Sequence, residues 1–179
     1  MNRALFGRVP SSAAAVVVAT LLALTAPAVA LAQGAPPVDG KTAFARLKSL
    51  AGEWKGTAVG QPAATVRYQV TAGGTAVFET LYPGSDHEMV SVYTLDHGDL
   101  VMTHYCAAGN QPHMRLDSKA STSDLYVFAF DGGTNFDPAK DMHIHSMRLA
   151  FKGDHLESEW AAMADGKPAP DQRFVLSRQ

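Results

Sequence analysis

Short strand-like runs, separated by turn residues, fill the chain after Gly52. The runs are rich in Val, Tyr, Phe and Thr, and pairs such as Gly-Gly, Pro-Gly and His-Gly interrupt them at regular intervals. Links this short favour antiparallel neighbours, because a parallel pair needs a long crossover. The pattern predicts ten strands: Glu53–Val59, Ala64–Thr71, Thr75–Tyr82, Glu88–Leu95, Asp99–Ala107, His113–Asp117, Asp124–Phe130, Met142–Phe151, His155–Met163 and Gln172–Arg178.

Ten sequential antiparallel strands would leave unpaired edges in an open sheet, whereas closure into a barrel removes them. One helical signal precedes the strands, since apolar residues recur at three-residue spacing over Lys41–Leu50. Asp39 is placed to cap this helix and Gly52 to end it. We therefore predict an all-β fold, a ten-stranded antiparallel up-and-down barrel with one short N-terminal helix.

The first 32 residues have the build of a secretory signal peptide. Two arginines precede an apolar run, and small residues follow it up to Ala32, where we predict cleavage. The alternative is an uncleaved anchor over Ala13–Ala32, which is long enough to span a bilayer. Pro27 and the alanine-rich end favour cleavage. The sequence thus predicts an exported protein, periplasmic or extracellular, with no stable membrane insertion after cleavage.

The composition of the rest of the chain indicates its domain organisation and excludes some classes of partner. Residues 33–40 contain two prolines and two glycines and are predicted to be a flexible leader before a single barrel domain, 41–179. The net charge is −2, and no block of like charge suggests a nucleic-acid partner. The single cysteine, Cys106, cannot form an internal disulfide, so packing must stabilise the fold. The oligomeric state stays open.

The segment Leu47–Gly56 resembles the opening of the lipocalin-like (calycin) barrels, in which a short helix is followed by Gly-x-Trp on the first strand. Gly52 and Trp54 occupy those positions here. The resemblance implies that a late arginine packs over the tryptophan at the closed end, and Arg178 is the candidate. A cation over an indole face is a favourable contact.

Later segments are similar to an uncharacterised secreted bacterial family of the same class. They include His-Tyr-Cys at 104–106 and Gly-Asn-Gln-Pro at 109–112, and the whole resemblance spans most of Phe44–Arg178. It implies the barrel fold and a general habit of binding small apolar molecules or haem. It does not imply a particular ligand.

Side chains alternate along a strand, so charges that require water indicate which face points inward. In strand eight Arg148 and Lys152 must face water. The inward face of strand three stays open: if Phe78 points inward, as its place among the ligand-binding residues requires, Glu79 faces solvent. In strand five the larger apolar residues share a face with His104, which is therefore predicted to point inward. The predicted ligand-binding residues are Tyr68, Phe78, Met102, His104, Cys106, Asn110, Gln111, His143, His145, Met147, Phe151 and Trp160.

An apolar interior with a few polar groups is typical of a ligand site. The sequence therefore predicts non-catalytic binding of a small, largely apolar molecule, and it leaves the presence of a cofactor open. The alternative is a metal- or haem-binding barrel with enzymatic activity. His143 and His145 would lie about 7 Å apart on one strand face, and His104 could complete a transition-metal site. Either His143 or His145 could instead be an axial haem ligand, or the two could simply be hydrogen-bonded.

Cys106 and His104 could form a nucleophile and its base, but side chains two apart on a strand run parallel. The pair is therefore predicted to be non-catalytic. The turn at 109–112 could hold Asn110 or Gln111 over the barrel mouth as a gate, or could serve only as a turn. Links that follow odd-numbered strands should share one rim, which would also carry the loops 83–88 and 131–141.

Overall fold

The computed structural model describes residues 37–179, so the predicted signal peptide and the first residues of the leader lie outside the described residues. Ten strands form a closed antiparallel barrel in which each strand pairs with its sequence neighbours and the last pairs with the first. The fold prediction is confirmed. The elements are α1 Gly40–Lys48, β1 Gly52–Ala58, β2 Gln61–Thr71, β3 Ala76–Leu81, β4 Met89–Asp96, β5 Asp99–Tyr105, β6 Gln111–Leu116, β7 Leu125–Thr134, β8 His143–Lys152, β9 His155–Ala164 and β10 Lys167–Arg178.

Helix α1 begins at the predicted cap. The Asp39 carboxylate accepts hydrogen bonds from the Thr42 backbone N–H at 2.9 Å and from its hydroxyl at 2.7 Å. The helix ends at Lys48, earlier than predicted, and Gly52 instead opens β1. Its φ of 131° favours glycine.

The described part of the predicted leader is packed rather than free. Pro37 forms a β-bridge with Thr122, and Val38 is buried in the core. Asp39 caps α1 and Gly40 is its first residue. The prediction of a flexible leader is therefore wrong for residues 37–40, because backbone pairing and apolar burial hold them against the barrel.

The predicted pairing of Trp54 with Arg178 closes the helix end of the barrel. The guanidinium carbon of Arg178 lies 4.6 Å from the centre of the Trp54 ring. The same guanidinium donates hydrogen bonds to the carbonyl oxygens of Ser49 at 2.6 Å and Ala51 at 2.8 Å. Trp54 Nε1 donates to the Leu50 carbonyl at 2.9 Å. The last strand thus ties down the segment that leaves α1.

Strand β5 has the predicted orientation, but β3 has the opposite one. Met102 and His104 of β5 are buried. In β3, Glu79 is buried with 1% exposure, whereas Phe78 is 38% exposed on the outer face. The inward placement of Phe78 is wrong, because the charge of Glu79 is accommodated inside by hydrogen-bond donors.

A bulge interrupts β8 where the two histidines lie. The register between β8 and β9 shifts between Ile144 and Ser146, so the alternation that placed His143 and His145 on the face of Met147 does not hold. Ile144 takes the position at the cavity, and neither histidine lines it. The predicted cavity-facing placement of both histidines is therefore wrong.

The half of the barrel nearer α1 is packed solid. Its interior is filled by large side chains with almost no exposure: Tyr93, Leu100, Met102, Met114, Phe128, Met147 and Leu149. A cavity opens towards the opposite rim. Among residues 37–179, no helix combines the length and apolar character needed to cross a membrane.

Candidate functional site

A half-enclosed cavity of about 680 Å³ occupies the rim half of the barrel. The link between β3 and β4 contributes Ser85 and His87, and the link between β5 and β6 contributes Ala107 and Ala108. Met142 belongs to the link between β7 and β8. The prediction that links after odd-numbered strands share one rim is confirmed for these three links.

The cavity wall is largely apolar. None of its residues is Asp, Glu, Lys or Arg. Its deepest polar group is His104, which lies beside Trp160, and both are 2% exposed. The lining residues are Gln61, Leu81, Tyr82, Ser85, His87, Met89, His104, Cys106, Ala107, Ala108, Met142, Ile144, Trp160, Ala162, Ala169, Pro170, Gln172 and Phe174.

The cavity therefore includes three of the predicted ligand-binding residues, which are His104, Cys106 and Trp160. Three others, Tyr68, Met102 and Met147, are buried in the packed interior. They do not line the cavity because the large side chains of that half leave no free volume beside them.

Phe151 lies near the opposite end of the barrel from the rim cavity. The Arg46 guanidinium carbon is 4.1 Å from its ring centre. The predicted place of Phe151 in the ligand cavity is wrong, because this part of β8 lies at the end that α1 covers.

A row of polar side chains crosses four strands and ends at the cavity. The cross-strand pairs are Tyr68 with Glu79, Glu79 with Ser91, and Ser91 with His104. All four side chains are buried. Tyr68 Oη donates to Glu79 Oε1 at 2.6 Å, and Ser91 Oγ lies 3.0 Å from His104 Nδ1. We call these four residues the polar row.

Glu79 carries the only carboxylate of the polar row, and it is surrounded by hydroxyl donors. Tyr93 Oη donates to Glu79 Oε2 at 2.6 Å, opposite the bond from Tyr68. Burial raises the pKa of Glu79, while hydrogen bonds from Tyr68, Tyr93 and Ser91 act to lower that pKa. Burial and then the charge of Glu79 raise the pKa of both tyrosines far above its ordinary value, so both stay protonated donors.

His104 is the member of the polar row that reaches the cavity. Burial lowers the pKa of His104 to about 4, so its imidazole is neutral at pH 7. Its ring centre lies 4.9 Å from that of Trp160. Within residues 37–179 its Nε2 has no hydrogen-bond partner, whereas Nδ1 is held by Ser91. A neutral imidazole nitrogen is therefore available to a molecule in the cavity.

Glu79, Ser91 and Tyr93 were absent from the sequence-based site. One signal could have found part of the row, because the tight turn at His97-Gly98 places Ser91 opposite His104. Glu79 was missed because a charged residue in a strand was assigned to water. That rule fails where neighbouring strands supply enough donors.

Asn110 and Gln111 hold the rim together and do not line the cavity. Asn110 Nδ2 donates to the Met142 carbonyl at 2.6 Å. Gln111 Oε1 accepts hydrogen bonds from Thr134 Oγ1 at 3.0 Å and from Asn135 Nδ2 at 2.7 Å. The predicted ligand contact of these two amides is replaced by contacts that fasten the link between β7 and β8 to the start of β6.

His143 and His145 form a separate hydrogen-bonded aromatic cluster. His143 Nε2 lies 3.2 Å from His145 Nδ1, and His143 Nδ1 lies 2.9 Å from the Asp141 carbonyl. The His145 ring stacks on Phe130 at 4.8 Å, and His143 packs against Phe136 at 4.8 Å. Burial and the neighbouring His143 lower the pKa of His145.

The predicted metal site of His104, His143 and His145 is not assembled. Among residues 37–179, no group of three or more His, Cys, Asp or Glu side chains is placed to hold a metal ion. His104 lines the cavity, whereas both nitrogens of His143 and Nδ1 of His145 make contacts in their own cluster. Neither proposed axial haem ligand, His143 or His145, lines the cavity either.

No protein-family model and no curated protein sequence matches this chain. The structure itself shows three features of the fold. These are the closed antiparallel barrel, the short helix before it, and the contact between Trp54 and Arg178.

Proposed function

We propose that this chain is a non-catalytic binding protein for a small, largely apolar molecule, which it holds in the rim cavity. The observation that carries the proposal is the cavity itself. Its volume of about 680 Å³ falls within the range of about 300–1,000 Å³ that is usual for small-molecule sites. Its wall is apolar except for a few polar groups, and the deepest of these is His104.

The same proposal includes a lipocalin-like relationship and export to the periplasm or the cell exterior. The resemblance of the Gly52–Trp54 segment supports the first part, together with the arginine that packs over the tryptophan. The signal-peptide composition of residues 1–32 supports the second. The absence of charged side chains from the cavity wall favours an uncharged occupant.

Titration with N-phenyl-1-naphthylamine, a neutral apolar fluorophore, tests the proposal. Saturable binding with one site per chain is expected. Ala162 lines the cavity, so Ala162→Phe should fill part of its volume and weaken binding. Ala129 is exposed on β7, so Ala129→Phe is a matched control that should bind as wild type does.

Two results would count against the proposed function. One is the absence of saturable binding by wild-type protein with a native circular dichroism spectrum. The other is equal binding by wild type and a folded Ala162→Phe protein, which would show that the fluorophore binds elsewhere.

A further inference from the structure

The polar row favours one of the two neutral tautomers of His104. Glu79 accepts hydrogen bonds from Tyr68 Oη and Tyr93 Oη, and each phenol has a single hydrogen to donate. No other hydrogen bond donated by either phenol is found among residues 37–179, although the Ser91 hydroxyl also contacts Tyr93. The arrangement is therefore complete when Glu79 is an ionised, acceptor-only carboxylate.

An ionised Glu79 would orient the remaining members of the row. The Ser91 hydroxyl is the next donor that reaches Glu79, and it also contacts His104 Nδ1 at 3.0 Å. If Ser91 donates to the carboxylate, its oxygen accepts the proton on His104 Nδ1. In this arrangement the His104 N–H points to Ser91 and the Ser91 O–H points to Glu79. Both bond dipoles are then aligned favourably with the negative charge of the carboxylate. His104 Nε2 is then an unprotonated acceptor that faces the cavity.

We propose that the cavity selects molecules that carry a neutral hydrogen-bond donor, an alcohol or phenol hydroxyl on an apolar frame, and that His104 Nε2 accepts this hydrogen bond. The inference rests on the proposed binding function. It specifies in addition that the bound molecule carries a hydrogen-bond donor. An ether of the same shape has no hydrogen to donate. A carboxylate also has none, and the cavity wall offers it no lysine or arginine.

Ser91 is a positioning residue in this scheme, because it does not line the cavity but links His104 to Glu79. Removing its hydroxyl releases the imidazole to adopt either tautomer without changing the cavity wall. A His104 that carries its proton on Nε2 would donate to an ether oxygen as well as to an alcohol oxygen. Loss of Ser91 should therefore reduce discrimination between the two, mainly through tighter ether binding.

Isothermal titration calorimetry of the full mature chain with three probes tests the proposal. The probes are 1-octanol, its isomer heptyl methyl ether, and octanoate. Wild type should bind the alcohol about tenfold more tightly than the ether, since one net hydrogen bond is gained, and octanoate should bind more weakly than the alcohol. Ser91→Ala should lose most of this preference. Ser121→Ala removes another buried serine, remote from the row, and should keep the preference.

A second measurement needs no ligand. Proton–nitrogen correlation spectra of the free protein at pH 7 should show His104 protonated on Nδ1 in wild type and in Ser121→Ala. Equal binding of the alcohol and the ether, or a His104 protonated on Nε2, would overturn this inference and leave the proposed function standing. Failure of all three probes to bind would overturn this inference, and failure of N-phenyl-1-naphthylamine as well would overturn the proposed function.

Discussion

Tyr68 and Glu79 face each other across β2 and β3, and the phenol donates a 2.6 Å hydrogen bond to a carboxylate that is 1% exposed. An isolated buried carboxylate would be strongly destabilising. Here two phenols and a serine hydroxyl satisfy it, and the chain of contacts continues to His104 at the cavity. The same buried carboxyl group is therefore part of the core packing and of the row of contacts that reaches the cavity.

The phenol of Tyr68 should contribute measurably to stability. Tyr68→Phe keeps the ring but leaves Glu79 Oε1 without its donor, so we expect a loss of about 1–3 kcal/mol in the free energy of unfolding. Urea denaturation at pH 7 measures this loss. Tyr105 is 50% exposed on β5, and Tyr105→Phe should change the unfolding free energy by less than about 0.5 kcal/mol. Equal effects of the two substitutions would contradict the role given to Glu79.

His104 should make the protein less stable as the pH falls from 7 to 4. Burial lowers the pKa of His104 to about 4, whereas the unfolded imidazole titrates near 6.5. The unfolded state therefore binds a proton that the folded state does not, and the unfolding free energy falls by up to about 3 kcal/mol across this window. Urea denaturation of wild type and His104→Phe at pH 7 and pH 4 should show that the variant lacks this contribution.

Glu79 acts in the opposite direction over part of the same range. Burial raises the pKa of Glu79, so its contribution to the unfolding free energy increases as the pH falls through that raised pKa. Both proteins contain Glu79, and the comparison between them therefore isolates the contribution of His104. Identical pH dependence of wild type and His104→Phe would contradict the prediction.

Arg178 should not be replaceable by lysine. A lysine cannot donate to the carbonyl oxygens of Ser49 and Ala51 in the same forked geometry while it covers the Trp54 ring. Arg178→Lys should lower the unfolding free energy by about 1–3 kcal/mol in urea denaturation. Arg173 lies on the same strand in an exposed ion pair with Glu157, so Arg173→Lys should cost less than about 1 kcal/mol. Similar losses of unfolding free energy for Arg178→Lys and Arg173→Lys would show that the closed end does not depend on the two hydrogen bonds of the Arg178 guanidinium.

The Gln111 side chain should restrain the link between β7 and β8. Gln111→Ala removes the acceptor shared by Thr134 and Asn135, so amide hydrogen exchange should become faster in residues 135–142 and stay unchanged in β2. Hydrogen–deuterium exchange mass spectrometry measures the exchange rates of both regions. Gln69→Ala, at an exposed position of β2, is the matched control. Unchanged exchange in the link would contradict the fastening role.

The two histidines of β8 should be dispensable for ligand binding. Neither lines the cavity, so folded His143→Ala and His145→Ala proteins should bind N-phenyl-1-naphthylamine with the wild-type dissociation constant. A visible absorption spectrum and metal analysis of the purified protein should be recorded alongside. A visible band or bound metal that both substitutions remove would favour the metal- or haem-binding alternative.

Several features could be predicted from sequence because local chemistry decides them. Asp39 before an apolar-periodic segment indicated the helix start. The inward face of β5 followed from its larger apolar residues, which include Met102. In each case a local rule and the final packing require the same arrangement.

The bulge in β8 could not be predicted in this way. Strict alternation from Arg148 backwards placed His145 and His143 at the cavity, but one additional residue near Ile144 breaks the alternation. No glycine or proline marks the position. The pairing of β8 with β9, and not the composition of β8, decides which side chains reach the cavity.

The sequence by itself determined the number of strands, their antiparallel order and the helix that precedes them, because turn residues and residue periodicity act over a few neighbours. Only the tertiary structure decided that Glu79 lies inside and that the polar row joins it to His104 through Ser91. A buried carboxylate is tolerated only when donors converge on it, and those of Tyr68, Ser91 and Tyr93 come from two different strands. That convergence arises when the barrel brings β2, β3 and β4 side by side.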